Sequence, residues 1–161
     1  MWENLEWVGD DHWIADAIED GTLIAVTDGS YMKDLYPNIH SAALVLECTK
    51  SRGRLWCSFP EASEMACSYR GELVGLMVIH LILLSVNEVR PGLKGTVHIF
   101  SDCLGALNKV KDLPPLQIPS SWAHSDVLKN ILANCTDLSF TRLYSHVRAH
   151  QDNKMEYQDL S

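Results

Sequence analysis

Leu23-Ile24-Ala25-Val26-Thr27-Asp28-Gly29-Ser30 is the stretch on which the fold turns: five β-prone apolar residues run into an acid, a glycine and a serine. An apolar run of this length with turn residues behind it predicts a buried sheet strand over 23–27, closed by an Asp-Gly turn. Working outward, Ser41 to Cys48 reads as a second strand. The Lys50-Ser51-Arg52-Gly53 turn then leads into Arg54 to Phe59 as a third, so the three form an antiparallel meander. Ser68 can cap a helix from about Tyr69 to about Glu88, apolar on most of its circumference and stopped by Pro91-Gly92. Its expected core residues are Leu73, Leu76, Met77, Ile79, Leu83 and Leu84.

Val97 to Phe100 is the fourth strand, ending in Ser101-Asp102. A short helix over Leu104 to Lys111 stops at Pro114-Pro115, Ser121 or Ser125 caps another running to about Asn134, and Leu138 to Tyr144 is the fifth strand. The order βββαβααβ predicts an α/β domain, a mixed five-stranded sheet with helices on its faces.

The chain has 161 residues, 13 Lys+Arg, 21 Asp+Glu and a net charge of −8, with 47% hydrophobic residues, enough for one globular core. Residues 1–22 hold seven acids and no Lys or Arg, which leaves 14 acids against 13 bases in 23–161. That first segment, with Trp2, Trp7 and Trp13 among its acids, reads as a lead-in or linker from a preceding domain rather than core; the domain proper is expected over 23–161. The charge balance excludes a polybasic nucleic-acid arm or membrane-surface peptide but leaves room for contact with a phosphate backbone through bound metal. The odd count of five cysteines, without a CxxC pair, speaks against a disulfide scaffold or zinc site and for a reducing, intracellular compartment, cytoplasmic or nuclear. The apolar run Leu73–Leu84, broken by Gly75 and His80, reads as a core helix and not a membrane span.

Asp28 and Asp102 each close a predicted strand, where open α/β sheets place ligands, and Glu72 lies in the first turn of the long helix. Taken singly, each has a plain structural role: a turn, a first-turn acid, a cap. Together they form a set of carboxylates that would repel one another unless divalent cations sat between them. Oxygen ligands suit Mg²⁺, with Mn²⁺ as substitute, and a pair of such ions about 3.5–4 Å apart is the arrangement that cleaves phosphodiesters.

The blocks Val26-Thr27-Asp28-Gly29-Ser30, Ser68-Tyr69-Arg70-Gly71-Glu72-Leu73 and Ile99-Phe100-Ser101-Asp102 resemble the three signature blocks of the type 1 ribonuclease H family, over about residues 23–161. The Glu72 block and His146-Val147-Arg148-Ala149-His150-Gln151-Asp152 are similar to ribonuclease H domains that follow the reverse transcriptase in retrotransposon-type polyproteins. The resemblance implies metal-dependent hydrolysis of the RNA strand of RNA–DNA hybrids. It implies Asp28, Glu72 and Asp102 as metal ligands, His150 as the loop histidine for proton transfer and product release, and an upstream reverse transcriptase domain as partner. Gly29, Ser30, Ser68 and Tyr69 fall at hybrid-binding positions, although Ser68-Tyr69 stand where many members have an Asn pair and Leu104 where many have a polar residue. Family members end in a helix that opens with a fourth Asp, so that helix is expected to be missing and the domain incomplete. Asp152 and Asp159 are the substitute candidates.

Three rivals fit less well. An integrase-type site would place its Glu after the second Asp, a response regulator would need a Lys at the end of the last strand, and an aspartic protease would need Asp-Thr/Ser-Gly. The alternative of another class is a catalytically inert ribonuclease H-like connection or interaction module.

Overall fold

A computed structural model describes residues 4–113 and 117–148. Its elements are β1 (Asn4–Val8), α1 (Trp13–Asp20), β2 (Leu23–Tyr31), β3 (Ile39–Cys48), β4 (Arg54–Ala62), α2 (Ser68–Val89), β5 (Thr96–Ser101), α3 (Leu104–Lys111), α4 (Ser125–Cys135) and β6 (Thr141–His146). They form a six-stranded sheet in the order β1-β4-β3-β2-β5-β6. β2 lies antiparallel to β3 and parallel to β5, which in turn is parallel to β6.

Alternation along the strands decides which side chains meet the helices. Leu23 and Ala25 of β2, Leu44 and Leu46 of β3, Leu55 and Cys57 of β4, and Val97 and Ile99 of β5 share one core with buried residues of all four helices. The centre of that core is α2. Although long and apolar enough to cross a membrane, half of its most apolar window is buried inside the domain. Leu73, Leu76, Ile79 and Leu83 are at most marginally exposed, as expected; Met77 and Leu84 are only partly buried. His80, wholly buried in the middle of this helix, is satisfied at both ring nitrogens: Nδ1 donates to Leu76 O at 2.7 Å and Nε2 accepts from the Tyr144 hydroxyl at 2.8 Å. Burial pushes its pKa down to about 4, so it is neutral in the fold.

Residues 4–20 depart from the expectation. They are not a lead-in outside the core: β1 pairs with β4 as a sixth strand, and Trp13, Ile14, Ala15, Ala17 and Ile18 of α1 are buried. The acids Asp16, Glu19 and Asp20 occupy the other side of this short helix, which is why the segment's composition hides its apolar face. Arg90, just past α2, ties Asp16 and Glu19 down at 3.0 Å each. Gly21 closes α1 in the left-handed region at φ 70°.

Three boundaries also shift. β2 does not turn at Asp28-Gly29 but continues to Tyr31, paired with β3. The thiol of Cys67, rather than the Ser68 hydroxyl, caps α2 by accepting from the Arg70 amide. The last strand begins at Thr141 because Ser139 turns away from the ladder, donating from its amide and its hydroxyl to Asn87 Oδ1.

Candidate active site

The site is built where β2, α2 and β5 approach one another. The parallel ladder of β2 with β5 ends where Thr27 lies beside Ser101, so the next residues, Asp28 still within β2 and Asp102 just past β5, come to neighbouring positions. Glu72 arrives from the first turns of α2, and ligand oxygens of Asp28, Glu72 and Asp102 lie within 4.8 Å of one another. The structure thus brings together the three carboxylates singled out in the sequence. His150, Asp152 and Asp159 lie outside the described residues.

The close approach of α2 to β2 depends on Gly29. A Cβ there would stand 2.8 Å from the Glu72 amide nitrogen and 3.0 Å from the Gly71 carbonyl carbon. Its role is therefore to let a helix pass, not to make a turn. Gly71 is the reciprocal contact, where a Cβ would lie 3.1 Å from Ser41 O. The helix is held in this position by Arg70, whose buried guanidinium reaches Glu61 of β4 at 2.8 Å and Asp126 of α4 at 2.7 Å. Hydrogen bonding from Arg70 holds the Asp126 carboxyl below its usual range.

Both oxygens of Glu72 are engaged. The Gly29 amide donates to Oε1 at 2.8 Å and the Ser101 hydroxyl to Oε2 at 3.2 Å, while the Cys103 amide donates to Ser101 Oγ at 3.1 Å. These contacts set the carboxylate's rotamer before any ligand arrives. Ser101 was missed as a site residue, although alternation puts it on the helix side of β5, opposite Glu72. His146, at the end of β6, donates from Nε2 to the Asp102 carbonyl at 2.9 Å and fastens the neighbouring strand end.

Burial pushes the Glu72 carboxyl up to about 7, the Gly29 amide resists, and the negative charges of Asp102 and Asp28 add to the rise. No Lys or Arg forms an ion pair with Glu72 or Asp102 among the described residues. A cluster that is all oxygen, part buried and electrostatically strained suits a hard divalent cation.

Beside Asp28 a groove of about 260 Å³ runs across the sheet, lined by Gly29, Ser30, Ser41, Ser58 and Asn4 among others. Ser30 and Ser68 are exposed, and Tyr69 is part buried with its ring 5.7 Å from that of His124.

This architecture has known counterparts. The RNase H1 called LC11, solved in complex with RNA/DNA hybrid, superposes with a TM-score of 0.60 at 13% identity, over 86% of this chain and 99% of that one. The chain has a ribonuclease H fold. The foamy viral protease-reverse transcriptase, also solved with an RNA/DNA hybrid, matches at a TM-score of 0.61 and 14% identity over 84% of this chain, which spans only 19% of the viral protein's length. RNase H1 from the archaeon Halobacterium salinarum matches at 0.53 and 12% identity, over 81% of this chain and 89% of that one. No family model and no curated protein sequence matches the chain. Relative to the expected five strands, the ribonuclease H sheet of this chain is widened by β1 on the outer edge of β4.

Proposed function

We propose that this protein is a metal-dependent endonuclease that hydrolyses the RNA strand of RNA–DNA hybrids, as one part of a retroelement reverse transcriptase. The observation that carries the reading is the convergence of Asp28, Glu72 and Asp102 within 4.8 Å on a ribonuclease H fold. The viral neighbour, of which this fold is a minor part of a longer polymerase-containing chain, supports an upstream reverse transcriptase domain as partner.

Asp28, Glu72 and Asp102 would hold Mg²⁺, or Mn²⁺ in its place, and when bound such ions supply Lewis acidity and an acidified water to the phosphodiester. The chain's own residues do the positioning. The Gly29 amide and Ser101 hydroxyl orient Glu72 so that binding a cation costs little reorganisation. Gly29, Ser30 and Ser68, beside Asp28, would receive the RNA strand, with Tyr69 flanking them. His150 would accept or deliver the proton at the departing oxygen, and a fourth carboxylate, from Asp152 or Asp159, would complete a second ion site.

The test is cleavage of an end-labelled RNA–DNA hybrid in Mg²⁺ and in Mn²⁺, with duplex DNA and duplex RNA as controls. Cutting confined to the RNA of the hybrid, and abolished by Asp28→Asn or Asp102→Asn, is expected. Cutting of all three substrates, or cutting that survives both substitutions, would sink the proposal; metal binding without any cutting favours the inert module.

A further inference from the structure

We propose that the outer edge of β1 is a docking site for an extended, Lys- or Arg-bearing apolar segment of a partner protein, which would join the sheet as a seventh strand. Among the described residues β1 is the terminal strand and pairs on one side only, so alternate backbone N–H and C=O groups on its other side point away from the sheet. All five of its residues are exposed. Edge strands are commonly guarded by Lys, Pro or a bulge. This one reads Asn4-Leu5-Glu6-Trp7-Val8, without Lys or Pro and with an unbroken register against β4, and its single charge is the acid Glu6.

Side-chain alternation gives the two faces of the edge different characters. Leu5 and Trp7, in register with the core residues Cys57 and Leu55, point to the helix side, where they remain 44% and 42% exposed. There they line a groove of about 330 Å³ together with Leu55, Ile82, Val86 and Val89. Val89 is 81% exposed. An added strand would lay alternate apolar side chains into this groove while its backbone completes the ladder.

Charge selects the occupant. Glu6, Asp10 and Asp11 have no cationic partner among the described residues, and the one arginine on the groove, Arg90, is already engaged by Asp16 and Glu19. A second copy of the chain pairing antiparallel through β1, centred on Glu6, would set two glutamates directly opposite each other, which disfavours self-association. A basic strand meets carboxylates instead.

The probe is a capped Lys-Val-Lys-Val-Lys-Val-Lys peptide added to the ¹⁵N-labelled chain, with amide shifts as the readout. Three controls accompany it: the Glu-Val counterpart, a Lys-Val peptide N-methylated at alternate residues, and the exposed Glu6→Lys variant. Saturable shifts centred on residues 4–8 are expected with the Lys-Val peptide alone. Glu6→Lys should weaken binding about tenfold, near 1.4 kcal/mol, and leave hybrid cleavage unchanged. The proposal is overturned if the N-methylated peptide binds as well as its parent, if the shifts fall elsewhere, if neither peptide binds, or if sedimentation shows dimers that Glu6→Lys disrupts.

Discussion

Replacing Glu72 by Gln should stabilise the metal-free protein, and the gain should depend on pH in a way that the structure fixes. The substitution keeps the shape, keeps an oxygen for the Gly29 amide and puts a donor against Ser101 Oγ, so what it removes is charge. In the fold the Glu72 carboxyl is pushed from its ordinary 4.5 up to about 7. Between those values the folded chain holds a proton that the unfolded chain has released. Glu72 therefore contributes full stability below about pH 4.5, and that contribution falls as pH rises to 7 and stays lost above it. At ~1.4 kcal/mol per pKa unit the loss is on the order of 3 kcal/mol. Buried His80 has the opposite slope, losing stability as pH falls from 6.5 towards 4, but it is present in both proteins and cancels in their difference. The assay is thermal melting in EDTA from pH 4.5 to pH 8 for both proteins. At ~2–4 °C per kcal/mol for a chain of this size, the variant should gain roughly 6–12 °C on wild type by pH 8, with the two nearly equal at pH 4.5. Melting curves that stay parallel across the range would refute the reasoning, because Glu72 would then carry no strained charge.

Other consequences follow from packing and hydrogen bonding. Leu76→Ala, at a position with no exposure in the centre of α2, should cost about 2–5 kcal/mol in urea unfolding. Arg70→Met removes the buried cation between Glu61 and Asp126; since Asp126 is 57% exposed, the loss should stay near the low end for broken buried pairs, about 3 kcal/mol, with reduced Mn²⁺ affinity as α2 loosens. Ser101→Ala should lower Mn²⁺ affinity in calorimetric titration about tenfold while Ser101→Thr restores it; equal affinity in all three would show that the hydroxyl does not position Glu72.

The carboxylate triad was legible because each acid sits beside a local signal in the sequence: the close of an apolar run, the start of a long apolar helix, the close of another apolar run; in the fold β2 runs on past Asp28 to Tyr31 and Glu72 lies just beyond the first turn of α2. The functions of the residues around it were not legible, because they arise from contacts across the fold. Asp28-Gly29 looks like a turn in sequence, and only the passage of α2 over β2 shows that the glycine is required by the backbone of Glu72. β1 alternates only over Asn4-Leu5-Glu6-Trp7, too short a run beside the acids that follow it to stand out as a strand, and α1 is too short for its apolar side to stand out among the surrounding acids. The burial of Arg70 had no local signal either, because it comes from partners 9 residues before it and 56 after it.

The most direct test of the metal site is the melting temperature of the metal-free chain at pH 8 as Mn²⁺ is added, for wild type, Asp28→Asn and Asp102→Asn. A cation that binds only the folded chain stabilises it by about 2.7 kcal/mol at one hundred times its dissociation constant, so the wild type should rise by roughly 5–11 °C along a saturating curve. Both variants should begin higher and stay flat. A wild-type melting temperature that does not move at millimolar Mn²⁺, or variants that rise along the same curve, would contradict the assignment of Asp28, Glu72 and Asp102 as the metal-binding centre.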